Sequence, residues 1–133
     1  MNKDLIIYAS SEDSLSYFPN NTSNSFRIQL PEEIDSHLLS RCALVEIHLP
    51  KSRTEQKIIY LDICEHSYVF GRKAPVLRRI TGKLSKSVIF PERLYISTKP
   101  GKYNSLHIYI LDENRQPINF DRGIAYCTLH FKQ

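Results

Sequence analysis

A chain of 133 residues with 41% hydrophobic side chains has the size and apolar content of one folded domain, read here as spanning residues 1–133. No apolar run approaches the roughly 20 residues a membrane helix needs, and residues 1 to 10 lack the plan of a signal peptide, so no membrane partner is expected. The net charge of +4 is unevenly placed. Residues 1 to 65 hold 6 Lys/Arg and 10 Asp/Glu, a net −4, whereas residues 66 to 133 hold 12 and 4, a net +8.

Short alternating apolar runs account for nearly all the order in the chain. Leu5 to Ala9 is the first predicted strand. A Ser- and Asn-rich loop, Ser10 to Asn24, follows, with Tyr17-Phe18-Pro19 as an apolar anchor inside it. Phe26, Ile28 and Leu30 then alternate with Arg27 and Gln29 in a half-buried strand that Pro31 should stop. Ile34, Leu38 and Leu39 fall at helical offsets and predict a short turn over Glu32 to Ser40. Arg41 to Leu49 has the cleanest alternation, with Ala43, Val45, Ile47 and Leu49 on one face and Cys42, Leu44, Glu46 and His48 on the other. Ile58 to Cys64 predicts a strand with Ile59, Leu61 and Ile63 on one face. The chain then breaks at Gly71, crosses Arg72 and Lys73, turns at Pro75 and enters a strand from Val76 to Ile80. Beyond it, Pro91 interrupts Val88 to Ser97 and leaves Leu94 to Ser97 as the strand. Leu106, Ile108 and Ile110 mark the next, and Ile124 to Phe131 closes the chain with Ala125, Cys127, Leu129 and Phe131 on one face.

The result is an all-β reading: eight short strands in antiparallel sheets, each sheet with one buried and one wet face. Eight strands without helical crossovers suit an eight-stranded antiparallel β-sandwich of the single jelly-roll kind. An immunoglobulin-like sandwich fits the same pattern, but its Cys–Trp–Cys plan is absent because the chain has no tryptophan.

Adjacent residues on a strand point to opposite faces, so Arg78 and Arg79 cannot both enter one core, and at least one should reach solvent or a partner. Between Arg72 and Lys86 six bases (Arg72, Lys73, Arg78, Arg79, Lys83 and Lys86) meet no acid. Such a run suits contact with another subunit or with a polyanion; the plain alternative is a solvated basic loop. Aromatic neighbours Tyr68 and Phe70 leave room for single-stranded nucleic acid, but an acidic first half and the absence of an exposed aromatic row favour a protein contact.

Groups that carry chemistry are scattered. Cys42, Cys64 and Cys127 are odd in number, far apart and embedded in apolar strands, which predicts reduced, buried packing residues rather than a zinc site or a disulfide framework. That usage suits an intracellular folding compartment. Two overlapping glycosylation sequons, at Asn20 and Asn21, carry little weight without a secretion signal. Of the histidines His37, His48, His66, His107 and His130, three lie on strands, and no His-x-His pair with a nearby Glu suggests a metal. No nucleophile elbow or phosphate-cradling loop is present, and Asp112-Glu113 is a turn. The expectation is a non-enzyme without cofactor.

Eight stretches, in order along the chain, carry a resemblance. Ser16-Tyr17-Phe18-Pro19-Asn20-Asn21-Thr22, then Phe26-x-Ile28-x-Leu30-Pro31, then Ala43-Leu44-Val45-Glu46-Ile47-x-x-Pro50 resembles the N-terminal half of the penton (minor capsid) proteins of Polinton/Maverick elements and adinto-like viruses. Tyr60-Leu61-Asp62-Ile63, Val69-x-Gly71 and Pro75 to Ile80 look like that family's paired central strands, and Pro117-Ile118-x-Phe120 with Cys127 to Phe131 is similar to its closing strand. The resemblance implies a single jelly-roll subunit forming homopentamers at the fivefold vertices of an icosahedral capsid, beside a double jelly-roll major capsid protein. It implies a virion protein assembled inside the host cell, with non-specific contact to packaged DNA as a further partner. The chain lacks the long insertions of larger pentons, which argues against receptor binding or a fibre-docking role. Two alternatives from other classes stand beside it: a monomeric β-sandwich binding carbohydrate, peptide or nucleic acid through a face holding Tyr95, Tyr103 and Tyr109, and a metal-dependent jelly-roll enzyme.

Overall fold

The computed structural model describes residues 4–82 and 87–133. Among them there is no helix, and eleven strands appear. In chain order these are β1 (Leu5–Ser10), β2 (Ser25–Asp35), β3 (Arg41–His48), β4 (Gln56–Leu61), β5 (Ser67–Val69), β6 (Arg72–Ala74), β7 (Val76–Thr81), β8 (Val88–Ile89), β9 (Ile96–Ser97), β10 (Lys102–Leu111) and β11 (Tyr126–Lys132). One sheet runs β1-β11-β3-β8, with β9 also pairing β3, and a second runs β2-β10-β4-β7. Strands β5 and β6 form a hairpin of their own. Every pairing is antiparallel.

The two large sheets face each other across a shared core. Phe26, Ile28, Ile59, Leu61, Leu106 and Ile108 enter it from one sheet, and Ala9, Cys42, Leu44, Ile47, Leu129 and Phe131 from the other. Each large apolar side chain removed from water contributes about 1.5–3 kcal/mol. The alternations of β10 and β11 land as the sequence predicts, with Leu106, Ile108 and Ile110 inward in one and Cys127, Leu129 and Phe131 inward in the other. All three cysteines are free and buried. Burial pushes the thiol of Cys42 well above its ordinary value, and those of Cys64 and Cys127 up to about 12.

The structure corrects the sequence reading where the backbone departs from a simple two-residue period. Eleven strands replace eight, because the hairpin β5–β6 was not foreseen and one edge strand is split in two. That edge is β8 and β9, which pair with Glu46–Ile47 and with Arg41–Cys42 of β3, while Phe90 to Tyr95 loops out around Pro91 between them. The expected strand Leu94 to Ser97 shrinks to β9. Pro31 does not end β2. The register jumps from Ile34 opposite Tyr103 to Gln29 opposite Ser105, so Pro31 lies in a bulge on an edge strand, where no ladder N–H is required. The same extension of β2 to Asp35 replaces the helical turn expected from Glu32, and only one tight turn follows, with Leu38 and Leu39 donating to the Asp35 carbonyl. In β3 a second bulge shifts the register at Val45, so Cys42 and Leu44 join Ile47 and Leu49 in the core, not Ala43 and Val45. A one-residue slip exchanges the two faces of a strand. The strand expected from Ile58 to Cys64 is β4, Gln56–Leu61. Its inward set Ile59, Leu61 and Ile63 holds.

Candidate functional site

The sandwich has two open sides, and each is bounded by one edge strand from each sheet. On one side β1 faces β2; on the other β7 faces β8. Strands β1 and β2 together carry three acids (Glu32, Glu33 and Asp35) and one base, Arg27, whereas β6 and β7 carry four bases and no acid. Strand-borne acids thus gather on β2, and strand-borne bases on β7 and the adjoining hairpin strand β6.

The acidic flank is open. Leu5 and Ile7 pair with Phe131 and Leu129 and so point inward, yet the bulged Pro31–Glu33 stretch of β2 leaves them partly uncovered, and Leu5 is 37% exposed. A groove of about 580 Å³ results, floored by Leu5, Ile7, Ile28, Leu30 and Ile34 and rimmed by Asp4, Asp13, Glu32 and Glu33.

On the basic flank Arg78 spans the gap between the sheets, and the predicted contact residues divide there. Arg78 pairs with the core-facing Ile59 and thus points to the inner side of its edge strand. Its guanidinium lies 4.0 Å over the ring of Phe90 and donates to the Glu92 carbonyl at 2.9 Å, bridging the two sheets. Arg79 takes the opposite face and is exposed, which meets the demand that one of the pair reach solvent. Arg72 and Lys73 stand exposed on β6, where Lys73 lies 5.5 Å over the ring of Tyr68. Lys83 and Lys86 lie outside the described residues. The six bases are thus not one patch: one closes the core, and three face outward at and beside the hairpin. Lys57, fully buried near the start of β4, adds a cation that periodicity did not reveal. Its ammonium donates to the carbonyls of Thr54 and, at 3.3 Å, Gly82, and burial lowers its pKa.

The hairpin itself was missed, although its signal lies in the sequence: Val69 and Arg72 flank a two-residue Phe-Gly loop. Phe70 and Gly71 have φ of 46° and 80°, the pattern of the turn that suits hairpin twist. Asn-Gly is the preferred occupant there. A phenylalanine held left-handed costs of order 1–2 kcal/mol.

The outer faces of the large sheets are held by local polar groups. On the first, His130 Nδ1 lies 2.6 Å from the Tyr95 hydroxyl and its Nε2 3.1 Å from Asp4, while His48 stacks on Tyr126 at 4.5 Å. His130 is buried. On the second, His107 Nε2 lies 2.9 Å from Ser25 Oγ, and Tyr60 stacks on Tyr109 at 4.7 Å. Burial, aided by Arg27, lowers the His107 pKa. Tyr95, Tyr103 and Tyr109 do not form one recognition face: Tyr95 covers the first sheet, Tyr109 the second, and Tyr103 packs against the core with its hydroxyl donating to the Lys99 carbonyl. Among the described residues no three His, Cys, Asp or Glu side chains converge as metal ligands.

The loop that carries the Tyr-Phe-Pro-Asn-Asn motif is a clamp. Asn21 accepts from the Arg27 amide and donates to the Arg27 carbonyl, both at 2.9 Å, and Ser14 accepts from the Gln29 amide, so the loop is bonded along the outside of β2. Asn21 of the motif thus holds the loop to β2. Searches of the chain against protein-family models and against curated proteins return no match.

Proposed function

We propose that this chain is a structural capsid subunit of the penton kind, a single jelly roll that closes head to tail into a homopentamer at the fivefold vertices of an icosahedral shell. Strand order supports the jelly-roll part. With the β5–β6 hairpin set aside and β8 and β9 counted as one broken strand, the eight remaining strands pair first with last, second with seventh, third with sixth and fourth with fifth. That is the order made by rolling one long antiparallel hairpin around a core.

The observation that carries the assembly reading is the opposition of flanks. A closed ring requires two different, mutually complementary surfaces on each subunit, and here an acidic open flank and a basic closed flank lie on opposite sides of the sandwich. Under this reading Arg79, Arg72 and Lys73 meet a neighbour's acids, the major capsid protein of double jelly-roll type surrounds the vertex, and packaged DNA takes the remaining basic surface. The protein would belong to the virion and assemble inside the host cell.

The test is solution mass by light scattering, at low salt and then at high salt. The expected result is a pentamer that loosens as salt screens the flanks. A monomer at both salts and at every concentration sinks the self-assembling ring and moves a monomeric binding module ahead.

A further inference from the structure

Resting on the ring reading, we propose that the β5–β6 hairpin of one copy docks in the acidic-rimmed groove between β1 and β2 of the next, with Phe70 inserted between the strands. Three observations converge on this pairing. The groove leaves part of the core uncovered, and its floor is apolar while its rim holds Asp4, Asp13, Glu32 and Glu33. The hairpin offers the matching chemistry, with Tyr68 77% exposed and Phe70 46% exposed beside Arg72 and Lys73. Phe70 also occupies a left-handed turn position better suited to Asn or Gly, so an aromatic ring is kept at the exposed tip against local preference. Such a departure points to a role outside the monomer.

Position agrees with chemistry. Leu5, at the mouth of the groove, pairs with Phe131, Phe131 with Cys42, and Cys42 with Ile96. The segment leading to the hairpin is fixed at this same end, where Cys64 bridges Thr98 and the Glu65 amide donates to the Ser97 carbonyl at 2.8 Å. Hairpin and groove thus lie at one end of the strands, and β7, which follows the hairpin, bounds the flank opposite the groove. Copies related by rotation about an axis along the strands bring one to the other without a shift in height.

The test compares light-scattering masses and urea midpoints of the full-length wild type, Phe70→Asn, the pair Arg72→Glu with Lys73→Glu, and that pair combined with Glu32→Lys and Glu33→Lys. Phe70→Asn creates the favoured Asn-Gly turn, so its folding midpoint should rise while its self-association weakens roughly tenfold or more. The double reversal on the hairpin should also weaken association, and the reversal on the groove rim should restore it. A ring that is unchanged in Phe70→Asn, or a hairpin reversal not rescued by the rim reversal, overturns the docking while leaving the ring intact. A wild type that is monomeric throughout overturns both.

Discussion

The two flanks of the sandwich solve the same problem in opposite ways. Both are places where two edge strands leave the core accessible from the side. At β7 and β8 the gap is shut from within, by Arg78 laid across Phe90 and tied to the Glu92 carbonyl. At β1 and β2 it is left open, because the bulge around Pro31 draws β2 off its partner and uncovers Leu5 and Ile7. An unfinished core edge therefore need not be a packing fault. Where the uncovered residues are apolar and the rim is acidic, the missing cover has a defined chemical character, and the other side of the same molecule carries that character.

If one flank is complete and the other is not, truncations should register unequally. Leu77→Ala, at the closed flank, should cost about 2–5 kcal/mol by urea unfolding, because Leu77 is wholly buried. Leu5→Ala should cost the monomer less than about 1 kcal/mol, since Leu5 is already in contact with water. Equal losses would mean that the groove is not open in solution. The arginines sharpen the contrast at a smaller scale. Arg78→Ala should lower stability by about 1–2 kcal/mol through loss of the stacking and of the carbonyl contact, whereas Arg79→Ala should remain within about 0.5 kcal/mol of wild type. Matching urea midpoints for the two variants would contradict the closing role.

The smallest effect concerns the buried cation beneath the basic flank. Burial lowers the Lys57 pKa from its ordinary 10.5, so between the lowered value and 10.5 the unfolded chain binds more protons than the folded one. Stability from Lys57 therefore rises with pH through that window, and its penalty is complete below it. Buried Tyr60 and half-buried Tyr103 and Tyr109 act oppositely above pH 10, because removal from water raises their pKa values. The difference between wild type and Lys57→Met isolates the lysine: the urea midpoint of wild type should gain on the variant as pH climbs toward 10.5. A constant difference would place the ammonium in water.

Much of the fold was legible because burial imposes a strict period on a strand. Leu106, Ile108 and Ile110, or Cys127, Leu129 and Phe131, could hardly be read otherwise. Each error sits where the backbone breaks that period. Val45 is the extra residue of a bulge, and nothing in Ala43-Leu44-Val45-Glu46 marks it, since every candidate for the inward face is apolar. Pro31 ends a strand only where the backbone is paired, and here it lies in an unpaired stretch of an edge. The charge asymmetry was visible at once, but its placement on opposite flanks required the pairing of first strand with last. The groove was invisible, since Glu32, Glu33 and Asp4 acquire a common rim only through that pairing. The hairpin could have been found: Val-Phe-Gly-Arg has a turn glycine, but a phenylalanine in the other turn position disguised it.

One consequence follows from the three thiols. Cys42, Cys64 and Cys127 are enclosed by the core, and burial holds them protonated at neutral pH. A protonated, inaccessible thiol is neither a nucleophile nor ready prey for oxidants. The folded chain should thus keep the same covalent structure in a reducing compartment and in an oxidising one, and move between them without acquiring cross-links or needing any.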